Sequence, residues 1–408
     1  MNRSPRSNIR RLAIGRLISV TGGAAAYTAL MYTVWNRTHS ATWQSGTLLL
    51  TFGVVGIVGP VTGQLGDRFD RRAVMILGEA VAAVFFFAMA FVDRPAALVA
   101  LAFASAIAES SFWSASVAAI PALAESEADI ARANSLVAVG RNAGIMLGPV
   151  IGGLLVTWLG ASWVFALNGI TFLVSVALTI SVRGSYREAT TSDDEQEEHR
   201  GMAAGVRFVW KEHVLRRITL AWLVFLLGAG MGMVADAPLA EAFHARAFGF
   251  GLLITFWGGG SVLGSLLGRK LTSRTEPLWL VLGAAGIVFG HLGVGLAPLF
   301  TIVLASSLLM GTGDGLTMVA EQGIMQRRTP DAVRSRVLAA YDAVMSLGLV
   351  VAYIFAGPVL NALGAQHVYL VGGLAAAAAT LMLLPVLRVR HDVRRPQTAI
   401  DVEPVVQG

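Results

Sequence analysis

Twelve apolar runs, each about the length of a bilayer crossing, constrain this chain more than any other feature it has. A crossing needs roughly 20 mostly apolar residues. Such runs fall at 12–35, 43–65, 72–92, 95–119, 132–157, 160–182, 216–240, 247–268, 277–296, 298–322, 335–360 and 366–387. Hydrocarbon offers backbone amides no hydrogen-bond partner, so each run must satisfy its own, as a helix does. The expected fold class is an all-α integral membrane protein of twelve transmembrane helices. Charged residues are only 14% of the chain, where roughly 25% is usual for a soluble domain. The 45 glycines suit helices that approach one another closely in lipid.

The net charge of +6 raises nucleic-acid binding as a possibility, and the placement of the charge removes it. The arginines cluster in alternate loops, between apolar runs, and not along one amphipathic face. Only Arg37, Arg94 and Arg246 fall in the other set of loops, and only Arg16 and Arg141 inside spans. Under the positive-inside rule this pattern places both termini in the cytoplasm. The chain has no cysteine, which excludes disulfides and thiolate metal sites. No cofactor or metal is expected.

Shifting the sequence by 204 residues aligns it with itself. Gly56 then meets Gly260, Gly144 meets Gly348, Gly153 meets Gly357, and Leu159-Gly160-Ala161 meets Leu363-Gly364-Ala365. Two six-helix halves in the same orientation, related by an axis along the membrane normal, would produce such an offset. The expected organisation is an N-terminal six-helix bundle at 1–183, a polar linker at 184–203, a C-terminal bundle at 204–390 and a tail at 391–408. The linker holds the acidic run Asp193, Asp194, Glu195, Glu197 and Glu198. After it, 203–213 reads as a short interfacial helix.

Two motifs carry more specific information. After the second span comes Gly63-Gln64-Leu65-Gly66-Asp67-Arg68-Phe69-Asp70-Arg71-Arg72. Gly63 and Gly66 permit close helix contact, and Asp67 suits the free N–H groups of another helix start. Arg68, Arg71 and Arg72 suit the headgroup level. The fifth span carries Gly144-Ile145-Met146-Leu147-Gly148-Pro149-Val150-Ile151-Gly152-Gly153, a ridge of small residues with a proline that frees one backbone bond. The first motif resembles the loop signature G-x-L-x-D-R-x-G-R-R of the major facilitator superfamily, with Asp70 in place of a glycine. The second is similar to the G-x-x-x-G-P-x-x-G-G signature of that superfamily's proton-coupled exporters. Ala131-Arg132-Ala133-Asn134-Ser135-Leu136 and Gly205-Val206-Arg207-Phe208-Val209-Trp210 resemble the branch containing macrolide, tetracycline and siderophore exporters.

Ionisable side chains inside spans are costly and default to functional candidates. Here they are Arg16, Glu79, Glu109, Arg141, Asp314 and Asp342, with Asp236 and His291 toward the outer side. Glu109 and Arg141 fall at similar depth on consecutive spans. The family architecture implies that the first, fourth, seventh and tenth spans surround a central cavity, which would put Arg16, Glu109, Asp236 and Asp314 on its walls. It also implies that Asp67 docks near the start of the eleventh span. No nucleotide-binding loop or hydrolase motif is present, so neither ATP-driven transport nor enzyme activity is expected. The resemblance implies a bacterial inner-membrane monomer exporting a small amphiphilic molecule in exchange for protons, its partners being the bilayer and that molecule. An importer or lipid flippase of the same fold, and a sensor or scaffold, remain open at this point.

Overall fold

The computed structural model describes residues 5–55, 69–123, 127–182, 205–330 and 333–388. The described elements are helical throughout. The N-terminal half consists of α1 (Pro5–Thr38), α2 (Ala41–Leu48, continuing as a π-helical turn over Leu49–Val54), α3 (Arg71–Met89), α4 (Pro95–Leu123), α5 (Glu127–Leu159) and α6 (Ala161–Ser181). The C-terminal half consists of α7 (His213–Ala242, interrupted at Gly230 and Met231), α8 (Arg246–Gly268), α9 (Glu276–Gly295), α10 (Phe300–Arg328), α11 (Arg334–Leu363) and α12 (Ala365–Leu383). Ten of the described helices are long and apolar enough to cross a bilayer. In α4 the described apolar stretch is Pro95–Ser110, and α2 runs to the edge of the described residues. With these two, the twelve-helix fold is complete.

The 204-residue repeat is a packing repeat. In the first half α1 packs on α5 and α6, and α3 on α4 and α6; in the second α7 packs on α11 and α12, and α9 on α10 and α12. Individual glycines repeat their roles. Gly144 lies against Val20 and Thr21 of α1, and Gly348 against Leu223 of α7, so each faces the first helix of its own half. Gly153 lies against Ala247 and Phe248 of α8, and Gly357 against Ala41 and Ser45 of α2, so each faces the second helix of the other half. The tight turns after these helices repeat as well. Gly160 has φ +88° and Gly364 φ +81°, a left-handed region where a side chain would be strained.

The ends of the bundle differ. One, the basic face, carries Arg72, Arg216, Arg327, Arg328 and Arg334; the opposite face carries His39, Asp93, Gly160 and His244. Apolar packing between the halves gathers toward the opposite face. There Met31, Ala41 and Leu48 share one core with Val234, Leu239, Phe250 and Tyr353. The cores described nearer the basic face belong to one half each: Met75, Phe112 and Val182 in the first, and Val214, Ile218, Leu280 and Ile324 in the second.

The segment 203–213, expected as a short interfacial helix, is helical over 205–211. It docks on protein. Gly205 meets the backbone of Arg336 at the base of α11, and Val209 is buried with Leu215, Met325 and Val337. Trp210 remains exposed.

Candidate functional site

The fifth-span motif builds two seams at once. A helix brings every fourth residue back to nearly the same face. Gly140, Gly144, Gly148 and Gly152 therefore form one ridge, and all four lie against α1, meeting Leu17, Val20 and Thr21, Ala24, and Ala25 in turn. Gly152 packs so closely that a Cβ there would fall 2.7 Å from the Cα of Ala25. Pro149 and Gly153 turn toward the other half, where the Pro149 carbonyl abuts Gly251 and Gly153 abuts Ala247 of α8. Thr255 of α8 adds a hydrogen bond, its hydroxyl donating to the Met146 carbonyl at 2.9 Å. One motif thus ties α5 both to its own half and to the partner half.

The buried ionisable residues form three groups at different heights. In the first half, Arg16 is buried on α1 with its guanidinium 5.9 Å from the Phe112 ring centre, within reach of the charges of Arg141 and Glu79. Glu79 of α3 is fully buried. The Ser19 and Ser175 hydroxyls lie close enough to act on its carboxylate, as does Glu109 of α4, yet neither oxygen completes a hydrogen bond of good geometry. Glu109 itself is half-buried and Arg141 exposed. Arg16, Glu79 and Glu109 therefore share one neighbourhood spanning α1, α3 and α4.

In the second half, Asp314 stands at the centre of α10, half-buried. The Ser261 hydroxyl of α8 donates to its Oδ2 at 3.4 Å. Asp342 of α11 is exposed. Glu321, two turns along α10 from Asp314, is buried and faces Tyr341 and Trp222. It falls at the end of the tenth apolar run, where a polar residue does not stand out by depth. Its spacing of seven residues from Asp314 would have put both on one face, since seven residues are nearly two full turns.

The third group lies between the halves toward the opposite face. Asp236 of α7 is buried and accepts a hydrogen bond from the Tyr369 hydroxyl of α12. Tyr27 of α1 and Tyr353 of α11 lie near it, and Tyr27 packs edge-on against Phe52 of α2, ring centres 5.6 Å apart. His291 is buried, its Nδ1 3.0 Å from the Ile287 carbonyl and its ring 5.9 Å from that of Tyr369. Above this cluster, Glu241 of α7 bridges to α1. It accepts from the Trp35 indole, and its Oε1 lies 3.3 Å from His39 Nε2. Neither the tyrosines nor Glu241 is legible in the sequence alone, because neutral phenols and residues at span ends do not stand out against it.

Of the loop motif, Gly63, Asp67 and Arg68 lie outside the described residues. Arg71 opens α3, and Asp70 caps that helix, its carboxylate accepting from the Arg72 backbone N–H at 3.2 Å. This gives Asp70 a local reason to stand where the signature has glycine, since Asp is a favoured helix N-cap. The Arg72 side chain donates to the Ile180 carbonyl of α6 at 2.5 Å. Trp158 and Trp163 are exposed at the opposite face, as an interfacial aromatic belt requires.

A repeated pair of six-helix bundles, joined by α2 to α11 and α5 to α8 and holding ionisable groups between them, is the architecture of a membrane transporter. The chain belongs to the Major Facilitator Superfamily, whose family model matches residues 12–239 and 232–405. Among curated relatives, the enterobactin exporter EntS of Escherichia coli O1:K1 / APEC is 24% identical over 343 residues, covering 82% of this chain and 80% of that one. The enterobactin exporter EntS of Shigella boydii serotype 18 is 25% identical over the same shares. Solved structures share the fold. The nucleoside transporter NupG superposes with TM-score 0.74 at 11% identity over 94% of this chain and all of its own. A bacterial homologue of the iron transporter ferroportin, in an inward-facing state, gives 0.72 at 14% identity over 94% and 99%.

Proposed function

We propose that this transporter exports a small amphiphilic molecule, such as a drug, antibiotic or siderophore-like compound, in exchange for protons and by alternating access. The observation that carries this reading is the position of the Gly144–Gly153 motif. It lies on the seam that must hold and release the two halves, and it is the segment most similar to exporter signatures. The enterobactin exporters among the relatives support the direction of transport. Apolar packing gathered at the opposite face supports a state closed there. In this reading that face is extracellular, the basic face is cytoplasmic, and the chain sits in a bacterial inner membrane with 1–183 and 204–390 as its rocking units. Asp314 is the proton carrier, while Glu109, with Arg16 and Arg141 nearby, shapes the substrate site. Asp236 lines its outer end. Asp67 holds the other state by docking near the start of α11.

The test is accumulation of enterobactin, a macrolide and tetracycline in cells stripped of their own exporters, with and without this protein. Expressing cells are expected to retain less of at least one compound, and a protonophore should erase the difference. Higher retention in expressing cells would mean import. Equal retention of all three, with the protein inserted, would remove the exporter reading. Orientation is tested separately by single-cysteine labelling, which the cysteine-free chain makes clean. Thr38→Cys and Ala161→Cys should react with an impermeant reagent added outside, and Asp70→Cys, Ser192→Cys and Pro330→Cys should not. Labelling at 192 from outside would overturn the two-unit organisation.

A further inference from the structure

Glu321 has no part in the reading above, and its surroundings give it one. It lies on α10 seven residues past Asp314 and seven before the helix ends at Arg328. At about 1.5 Å per residue it stands roughly 10 Å from each. Its side chain is buried, and among the described residues its Oε1 meets no hydrogen-bond partner. The groups acting on it are the Tyr341 hydroxyl and Asp342 from α11, the Trp222 indole from α7 and Asp314 on its own helix. None of them is a cation. The nearest arginines along α10 are engaged elsewhere: Arg327 pairs with Glu276 of α9, and Arg328 with Glu212 at 2.9 Å. Among the described residues, then, no ion pair holds this carboxyl inside. Leaving it ionised without a cation is costly, and two neighbouring acids make the charge costlier still.

We propose that Glu321 is a second proton-bearing carboxyl of the transport cycle, stationed between Asp314 and the basic face. This rests on the proton-coupled reading of Asp314 and extends it. Asp314 sits at the centre of α10, and a proton leaving it for the basic end of that helix must travel about 20 Å along it. Glu321 divides that distance in half, on the same face of the same helix. It takes up a proton there and releases it toward the basic face, its carboxyl returning to the starting state each cycle. Tyr341 of α11 and Trp222 of α7 flank the carboxyl, so its protonation also bears on how α10 sits against α11 and α7.

The experiment uses full-length protein in proteoliposomes with enterobactin as the probe, or whichever compound the accumulation test identifies. Glu321→Gln should lower efflux driven by an imposed pH gradient on the order of tenfold or more. It should leave gradient-free exchange within about twofold, since exchange moves no net proton. Glu321→Asp, which keeps an exchangeable proton, should recover a large part of driven efflux. A readout that needs no substrate accompanies these. The infrared absorption of protonated carboxyls in the purified wild type should include a band that titrates with pH and is missing in Glu321→Gln. Normal driven efflux in Glu321→Gln, loss of exchange in parallel with efflux, or an unchanged carboxyl band would each overturn the proposal. If the wild type itself shows no gradient-driven flux while the band is present, the proton-coupled reading fails and Glu321 is a protonated residue without a transport role.

Discussion

Asp314→Asn is expected to abolish efflux driven by a pH gradient while gradient-free exchange survives. Asp314 lies 14 residues from either end of α10, about 21 Å at 1.5 Å per residue, and so at the centre of that helix. A carboxylate at that depth costs about 2.5–3.5 kcal/mol on insertion scales. A residue kept there against such a cost does something that an uncharged residue cannot. The described hydrogen-bond partner of its side chain is neutral, the Ser261 hydroxyl. Asparagine keeps the shape and can still accept from Ser261, but has no proton to exchange. The expected loss of driven efflux is on the order of a hundredfold or more, in the range seen when a positioned acid–base group is removed. Glu109→Gln is the contrasting variant. It is expected to change affinity or substrate range more than coupling, because its neighbourhood includes Arg16 and Glu79. Undiminished driven efflux in Asp314→Asn would strike it out as the carrier, and a selective coupling loss in Glu109→Gln would transfer the role.

Almost all of the scaffold was legible without coordinates, because a bilayer leaves helices few alternatives. Span length, loop charge and the 204-residue offset are one-dimensional signals. The recurrence of Gly144 at Gly348 and of Gly153 at Gly357 proved to be a recurrence of contact partners, so the sequence repeat and the packing repeat are the same fact. The site was less legible. Ionisable residues deep in spans stand out against an apolar background, and Asp314, Glu109, Arg16 and Asp236 were found that way. Glu321 lies in the last turns of its span, where polar residues are common, and only the fold shows it buried. Asp236 was visible, but the tyrosines around it come from α1, α11 and α12, separated by hundreds of residues. The Trp35–Glu241–His39 bridge between halves was equally hidden. Such convergence depends on how two bundles meet, and no local spacing encodes that.

Gly153→Val is the second large effect expected, and it acts on the seam between halves. Gly153 meets the Ala247 carbonyl carbon and the Phe248 Cα, each 3.0 Å from where a Cβ would stand. From the other side, a Cβ on Gly251 would stand 2.9 Å from the Pro149 carbonyl carbon and 3.1 Å from the Val150 Cα. The atoms in the way are backbone on both helices, so no side-chain rotation relieves the clash. A branched side chain forces α5 and α8 apart. Overpacking of this kind costs about 1–3 kcal/mol, and that cost falls only on the state in which this seam is shut. A two-state protein answers such a bias by populating its other state. A cysteine at Ala247, buried in the present structure, should therefore stay unlabelled by an outside impermeant reagent in the wild-type background and react in Gly153→Val. Transport should fall sharply, since the cycle must pass through the closed seam. Gly259→Val is the control, because a Cβ there meets nothing within 4 Å, and it should insert, fold and transport nearly as the wild type does. If Gly153→Val folds, transports normally and leaves the cysteine unlabelled, the α5–α8 seam is not a moving contact, and the place of the exporter motif in the cycle must be given up.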